Sequence, residues 1–318
     1  MRRVQCNPLE QQINVKLDKM FQKKNCFIQV QPGNITLPSK YAEIAEAILD
    51  LEIRKDDVWV VSYPRTGSTW AQEMVWLLGN NLDYDSARQI QIARTPLLEL
   101  SAIFGEDHAD WLKSSMGNSV DAVAKRASPR FIKSHLPLHL LPTQLQQVEP
   151  KIIYTSRNPK DLCVSYYYYC QLVHDLQSTF NEFCELFLSD NVPMGDVSLH
   201  MLAFWNMRHK PNILFLKYEE MKRNFPATIE KCAKFLNREP LTDDQMQTMC
   251  DYLKFDKMQK NPAVNLEPVI GSEDLPVKFI RKGQIGDWKN YMDEEMSARF
   301  DTWIEEKFRG SGLEFEYE

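Results

Sequence analysis

The stretch Asp57-Val58-Trp59-Val60-Val61-Ser62-Tyr63-Pro64-Arg65-Thr66-Gly67-Ser68-Thr69-Trp70 decides the fold. Its first half is a short apolar run of three valines and a Trp, the composition of a buried strand. Tyr63-Pro64 ends the run and Gly67 supplies a turn. Thr69 to Leu78 then places Trp70, Met74, Leu77 and Leu78 at i, i+4, i+7 and i+8, which predicts a helix. A turn between a strand and a helix N-terminus has the geometry of a phosphate cradle. Free backbone N–H groups and the helix dipole face an anion, and the hydroxyls of Thr66, Ser68 and Thr69 are further donors. It is not a Walker A loop: it holds a single Gly, and its basic residue, Arg65, precedes that Gly. An ordinary strand–turn–helix with Ser/Thr N-caps reads the same way.

The same alternation recurs outward from this stretch. Arg130 to Lys133 is a second strand, ended by Ser134-His135-Leu136-Pro137. Ile152 to Ser156 is a third, followed by Arg157-Asn158-Pro159 and a helix over Asp161 to Cys170. Ile213 to Tyr218 is a fourth, and Ala227 to Leu236 a further helix with Ile229, Cys232, Ala233 and Leu236 on one face. Buried runs alternating with helices predict an α/β fold: a single domain, 1–318, with a central parallel sheet flanked by helices. Residues 1–50 are an N-terminal segment, 57–260 the α/β core, and 261–289 an irregular stretch. That stretch holds Pro262, Pro268, Pro276, Gly271, Gly283 and Gly286 around Arg281-Lys282-Gly283. It reads as a lid over a ligand, although a plain surface loop has the same composition. Ligands of such folds lie beyond the carboxyl ends of the strands. Arg65, His135, Arg157 and Tyr218 all fall there.

Composition bounds the rest. The chain has 318 residues, 43% of them apolar and 26% charged, which excludes collagen-like, low-complexity and wholly disordered classes. The formal charge of −6 argues against a nucleic-acid coat but not against one local basic pocket. The cysteines number 7, with no C-x-x-C pair, and are expected to be reduced, several of them core-packed. No metal-ligand spacing occurs, so no metal is expected. No apolar run approaches a membrane span and no signal peptide is visible, so a cytoplasmic setting is expected, with no membrane partner. The acidic run Glu314-Phe315-Glu316-Tyr317-Glu318 reads as a solvated end.

Four ordered segments carry a resemblance. Tyr63 to Trp70 resembles the 5′-phosphosulfate loop of the cytosolic sulfotransferases, in wording closest to insect members. Lys133-Ser134-His135-Leu136-Pro137 resembles their catalytic-histidine segment. Arg157-Asn158-Pro159-Lys160-Asp161 through Ser165-Tyr166-Tyr167 resembles their 3′-phosphate segment. Arg281-Lys282-Gly283 through Gly286-Asp287-Trp288-Lys289 resembles their C-terminal phosphate loop. The resemblance implies a P-loop-like phosphosulfate-binding loop and a donor, 3′-phosphoadenosine 5′-phosphosulfate (PAPS). The sulfonyl group passes to an acceptor hydroxyl or amine of a small lipophilic molecule, and adenosine 3′,5′-bisphosphate (PAP) is left. By the same resemblance Arg65, Thr66, Gly67, Ser68 and Thr69 hold the 5′ end. Arg157 and Ser165, with Arg281, Lys282 and Gly283, hold the 3′-phosphate. Trp70 stacks on adenine with Phe255 opposite and Tyr218 at its edge. His135 is the general base of an in-line transfer, while Lys133 and Arg65 stabilise developing charge.

The sequence departs from the family at three places. Arg65 stands where members usually carry Lys, and a guanidinium keeps its proton. Leu253 stands where many have a Thr that bonds adenine. The vertebrate dimer motif is not kept after Lys289, so a homodimer through that patch is not expected, and a monomer or another interface stays open. Leu97, Leu98, Phe104, Tyr166, Tyr169 and Met194 sit where family pocket walls are expected. They do not separate phenols, catechols, steroids and other alcohols. A nucleotide kinase, a non-catalytic binder and a dehydratase that sulfonates an alcohol and then loses sulfate are the competing readings.

Overall fold

The computed structural model describes residues 4–103, 117–266 and 277–318. Strands β1 (Gln5–Asn7), β2 (Phe27–Gln31) and β3 (Ile35–Pro38) form a small antiparallel sheet in that order, where the sequence reading placed no strand. The predicted parallel sheet follows. It is built from β4 (Val58–Ser62), β5 (Phe131–Ser134), β6 (Lys151–Ser156) and β7 (Ile213–Lys217), in the order β5-β4-β6-β7. Every pairing in it is parallel. Ends agree with the sequence expectations to within a residue or so. Tyr218 is the exception that matters: it leaves the strand and opens the helix Tyr218–Arg223.

Both faces of the sheet are covered, which is why its strands read as continuous apolar runs. Alternate residues serve opposite layers. Trp59, Val61, Ile132, Tyr154 and Phe215 belong to one core, with the helices Pro159–His174, Val197–Asn206 and Glu294–Phe308. Val58, Val60, Phe131, Ile153 and Leu214 belong to the other, with the helices Ser68–Gly79 and Phe225–Phe235. A fully buried ion pair closes the amino-terminal edge: the Arg130 guanidinium holds the Asp57 carboxylate at 2.7 and 2.6 Å.

Register brings the carboxyl ends to one edge. Val61 pairs with Ser134 and with Tyr154, and Ser62 with Thr155, so Tyr63–Gly67, His135 and Arg157 emerge together. Pro96–Leu98 lies alongside β5. Lys133 N donates to Pro96 O and Leu98 N donates to Lys133 O, both at 2.9 Å.

The seven cysteines are free, with Cys163, Cys170, Cys184 and Cys232 buried. Among the described residues no helix is long and apolar enough to cross a membrane. The acidic run at 314–318 is not a free end. Leu313 is buried, Phe315 packs edge-on against Phe308 at 4.9 Å, and Lys289 Nζ donates to Glu318.

Candidate active site

The loop Tyr63–Gly67 is fixed from within. The Thr66 hydroxyl donates to Tyr63 O at 2.9 Å and meets Thr155 Oγ1 at 3.1 Å, and Thr66 is fully buried. Its side chain is therefore a brace, not the anion donor expected. Arg65 and Gly67 both take positive φ, 71° and 88°. At Gly67 a Cβ would lie 2.6 Å from the Tyr218 ring, so Gly is required on steric and conformational grounds. Gly67 leaves the helix Ser68–Gly79 with no side-chain cap, so its first amides stay free for a ligand.

These amides border a cavity of about 410 Å³. Its walls carry Arg65, Lys133, Arg157, Lys222, Lys254, Arg281 and Lys282 and, among the described residues, no carboxylate. In a chain of net charge −6 this is a strong local reversal of sign, suited to a polyanion. Gly67, Ser68, Thr69, Trp70, Ser165, Tyr218, Phe255 and Gly283 line the same cavity. The predicted nucleotide residues are thus brought together, apart from the Thr66 side chain. Two buried donors in this lining, Arg157 Nε and Trp70 Nε1, have no hydrogen-bond partner among the described residues. Trp70 stacks on Phe225 at 4.3 Å, a partner not expected from sequence. Leu253 lines the cavity and offers no hydrogen bond.

Arg157, Arg281 and Lys282 are held in place. Arg157 donates to Gln284 O at 2.8 Å and lies over the Tyr218 ring at 4.5 Å. Arg281 and Lys282 both donate to Asp287, at 2.6 and 2.9 Å. Gly283 has φ 62°, and a Cβ there would stand 2.4 Å from the Phe255 ring. Asp161 fastens this loop to the helix Pro159–His174: its carboxylate accepts Gly286 N–H at 2.8 Å and Trp288 N–H at 3.0 Å. Asp161 lay inside a quoted motif, but its role needed the fold.

The same lining holds Arg65, Lys133 and His135, with Tyr169 and Phe279. Arg65 Nε donates to Ser165 Oγ at 3.1 Å and Nη2 to Phe279 O at 2.7 Å, with the Phe279 ring 4.8 Å from its guanidinium carbon. Burial, with Arg157 and Arg281 nearby, lowers its pKa to about 10. Burial, opposed by Glu99 and aided by Arg65, lowers Lys133 to about 8. His135 is buried and beside Lys133, which keeps its pKa well below the ordinary value and its ring neutral. Its Nδ1 lies 2.8 Å from Ser62 O, a carbonyl that can only accept. The proton therefore sits on Nδ1, and Nε2 carries the lone pair a base requires. Behind it His200 Nε2 donates to His135 O at 3.0 Å and so accepts the Tyr154 hydroxyl at Nδ1, 2.8 Å away. Glu99, raised to about 7 by burial, accepts from His135 N–H and the Ser134 hydroxyl. No local sequence signal marks Glu99, because only tertiary pairing of Pro96–Leu98 with Lys133 brings it here.

The expected acceptor walls divide. Tyr169 lines the cavity. Tyr166 does not: it is buried, edge-on to Tyr63, and its hydroxyl donates to Pro193 O at 2.6 Å. Leu97 and Leu98 serve the strand-like pairing that holds Lys133, and Met194 is packed under β3 through Met194 N to Thr36 O. Phe104 lies outside the described residues, as do 267–276 of the expected lid. Of the rest of that stretch, Phe279 to Gly283 line the cavity, while Val264 and Asn265 are buried.

Comparison with known proteins places this geometry. A family model described as a sulfotransferase domain matches residues 55–312. Luciferin sulfotransferase of Photinus pyralis is 36% identical over 302 residues, 91% of this chain and 81% of that protein. Sulfotransferase 1E1 of Bos taurus is 33% identical over 89% of this chain and 94% of its own. Among solved structures, retinol dehydratase in complex with androsterone and inactive cofactor PAP superposes with a TM-score of 0.90, at 28% identity, over 98% of each chain. The chain belongs to the sulfotransferase family.

Proposed function

We propose that this PAPS-dependent sulfotransferase performs in-line sulfonyl transfer to a hydroxyl of a small lipophilic acceptor, with His135 as general base. One observation carries the reading: a neutral, oriented imidazole and two partly desolvated cations share the wall of a cavity lined by positive charge. In this reading the free amides of Gly67 to Trp70 hold the 5′ end of the donor. Arg157 and the Arg281–Gly283 loop hold the 3′-phosphate, through charge-assisted bonds. The unpartnered Arg157 Nε suits that ligand. Trp70 and Phe255 enclose the adenine.

His135 Nε2 takes the acceptor proton as the acceptor oxygen attacks sulfur. Lys133 and Arg65 neutralise charge on the transferring group and on the leaving phosphate oxygen. Arg65 does so as a fixed donor and not as an acid: a guanidinium lowered only to about 10 keeps its proton near neutral pH, and its bonds to Ser165 and Phe279 O keep it aimed. The lid reading of 261–289 is supported by Phe279 to Gly283, which close one wall. We take the setting to be cytoplasmic, in line with the likeness to cytosolic sulfotransferases. The acceptor is a phenol, catechol, steroid or related alcohol.

The test is transfer of labelled sulfonate from PAPS to a panel of phenols, catecholamines, steroids and aliphatic alcohols, with His135→Ala alongside. Transfer to one class, abolished in the variant, supports the reading. Undiminished transfer by the variant overturns the assignment of the base. The likeness to retinol dehydratase favours one second reading, in which a sulfonated alcohol then loses sulfate to give an alkene. Product analysis separates the two: an accumulating sulfate ester, or free sulfate with an unsaturated product.

A further inference from the structure

Residues 313–318 run behind the donor cavity and touch two of its walls. Glu316 pairs with Arg223, the last residue of the helix Tyr218–Arg223, which presents Tyr218 and Lys222 to the cavity. On the other side Lys289 Nζ donates to Glu318 Oε1 at 2.5 Å. Between them Tyr317 O lies against Gly286, so close that a Cβ there would stand 3.2 Å away. The Tyr317 ring is 5.6 Å from Lys160 Nζ, which also sits 4.3 Å from the Trp288 ring. Gly286 and Trp288 are the residues Asp161 grips through their amides. The loop 281–289 is therefore held from the front by Asp161 and from the back by Tyr317 and Glu318. None of these three residues lines the cavity. A carboxylate beside the phosphate would repel it, so the acidic residues act from behind, on Arg223 and Lys289.

We propose that Glu316, Tyr317 and Glu318 are positioning residues for the 3′-phosphate of the donor. They join the loop that carries Arg281–Gly283 to the helix that carries Tyr218, and so fix the width of that end of the cavity. The inference rests on the donor assignment above. The ion pairs are exposed and each contributes little alone. The effect therefore belongs to the set, with the half-buried Tyr317 ring as its centre.

The test compares binding of adenosine 3′,5′-bisphosphate and adenosine 5′-phosphate by calorimetry, in the wild type and in the triple variant Glu316→Gln, Tyr317→Ala, Glu318→Gln. The expected result is a loss of ~10-fold in affinity for the bisphosphate. Affinity for the monophosphate, which keeps its adenine against Tyr218, falls by no more than about threefold, and kcat at saturating donor stays within about twofold, because the 5′ end and the reacting groups are elsewhere. Glu316→Asp, Tyr317→Phe, Glu318→Asp restores the bisphosphate affinity. Tyr317→Ala alone, the gentler change should the triple variant fold poorly, shows the same selective loss at smaller size. Equal losses for both nucleotides, or none, overturn the proposal. A wild type that binds the two nucleotides equally overturns the 3′-phosphate assignment of Arg281–Gly283 itself.

Discussion

Glu99 grips His135 by its main chain: Oε1 accepts the His135 N–H at 2.6 Å, while Oε2 accepts the Ser134 hydroxyl at 2.9 Å. The imidazole is oriented by a different group, Ser62 O. The carboxylate therefore acts electrically on Lys133, whose proton it helps to keep. Glu99→Gln keeps an oxygen for the His135 amide and removes the charge. Lys133, at about 8 in the wild type, then falls. The alkaline limb of kcat/KM, which reports the free enzyme, should move down by about one pH unit. An unmoved limb would separate Glu99 from Lys133.

His135→Ala removes the base but none of the cations. Turnover should fall by ~10²–10⁴, with PAP affinity within a few-fold of wild type. Single-turnover kinetics beside calorimetry reads both.

Arg65→Ala should lower kcat by ~10²–10³ and donor affinity far less, because its contribution grows as charge develops on the leaving oxygen. Arg65→Lys keeps the charge but cannot span Ser165 Oγ and Phe279 O together, and should recover part of kcat. Equal losses in kcat and donor binding for the alanine variant would count against a transition-state role.

Gly283→Ala forces a Cβ against the Phe255 ring at a positive φ. The loop must shift, so PAP affinity should drop by ~10-fold or more, while thermal stability changes little. A variant that binds PAP normally would show that the loop backbone does not approach the nucleotide.

Asp57→Ala leaves the Arg130 guanidinium buried and uncompensated at the far edge of the sheet. Unfolding free energy should fall by about 3–5 kcal/mol with donor affinity unchanged. Urea titration measures the first and calorimetry the second.

The parallel sheet was legible because strands covered on both faces read as apolar runs, and Val58 to Ser62 is buried throughout. The strands β1 to β3 were not, since they are short: β1 and β2 mix Gln and Asn with their apolar residues, and β3 is four residues ending on Pro38. The anion site was legible where chemistry is local, as in the loop after β4 and in Arg281–Gly283. It was illegible where it depends on chain crossings: Glu99 against His135, Phe225 under Trp70, Asp161 on the amides of Gly286 and Trp288. Leu97, Leu98, Tyr166 and Met194 show the limit of residue type. Apolar side chains at the right place in the order serve equally as cavity wall or as packing, and among the described residues these four are buried and do not line the cavity.

The clustered cations around the cavity have a consequence for the folded state itself. Asp287 answers Arg281 and Lys282 from behind, but no carboxylate among the described residues lines the cavity, so the repulsion left between Arg65, Lys133, Arg157 and Arg281 is carried by the protein whenever no ligand is bound. Any dianion that enters relieves it, so occupancy and folding free energy rise together. Donor, nucleotide product and inorganic phosphate thus belong to one series of protective ligands, ordered by how many of these charges each one answers.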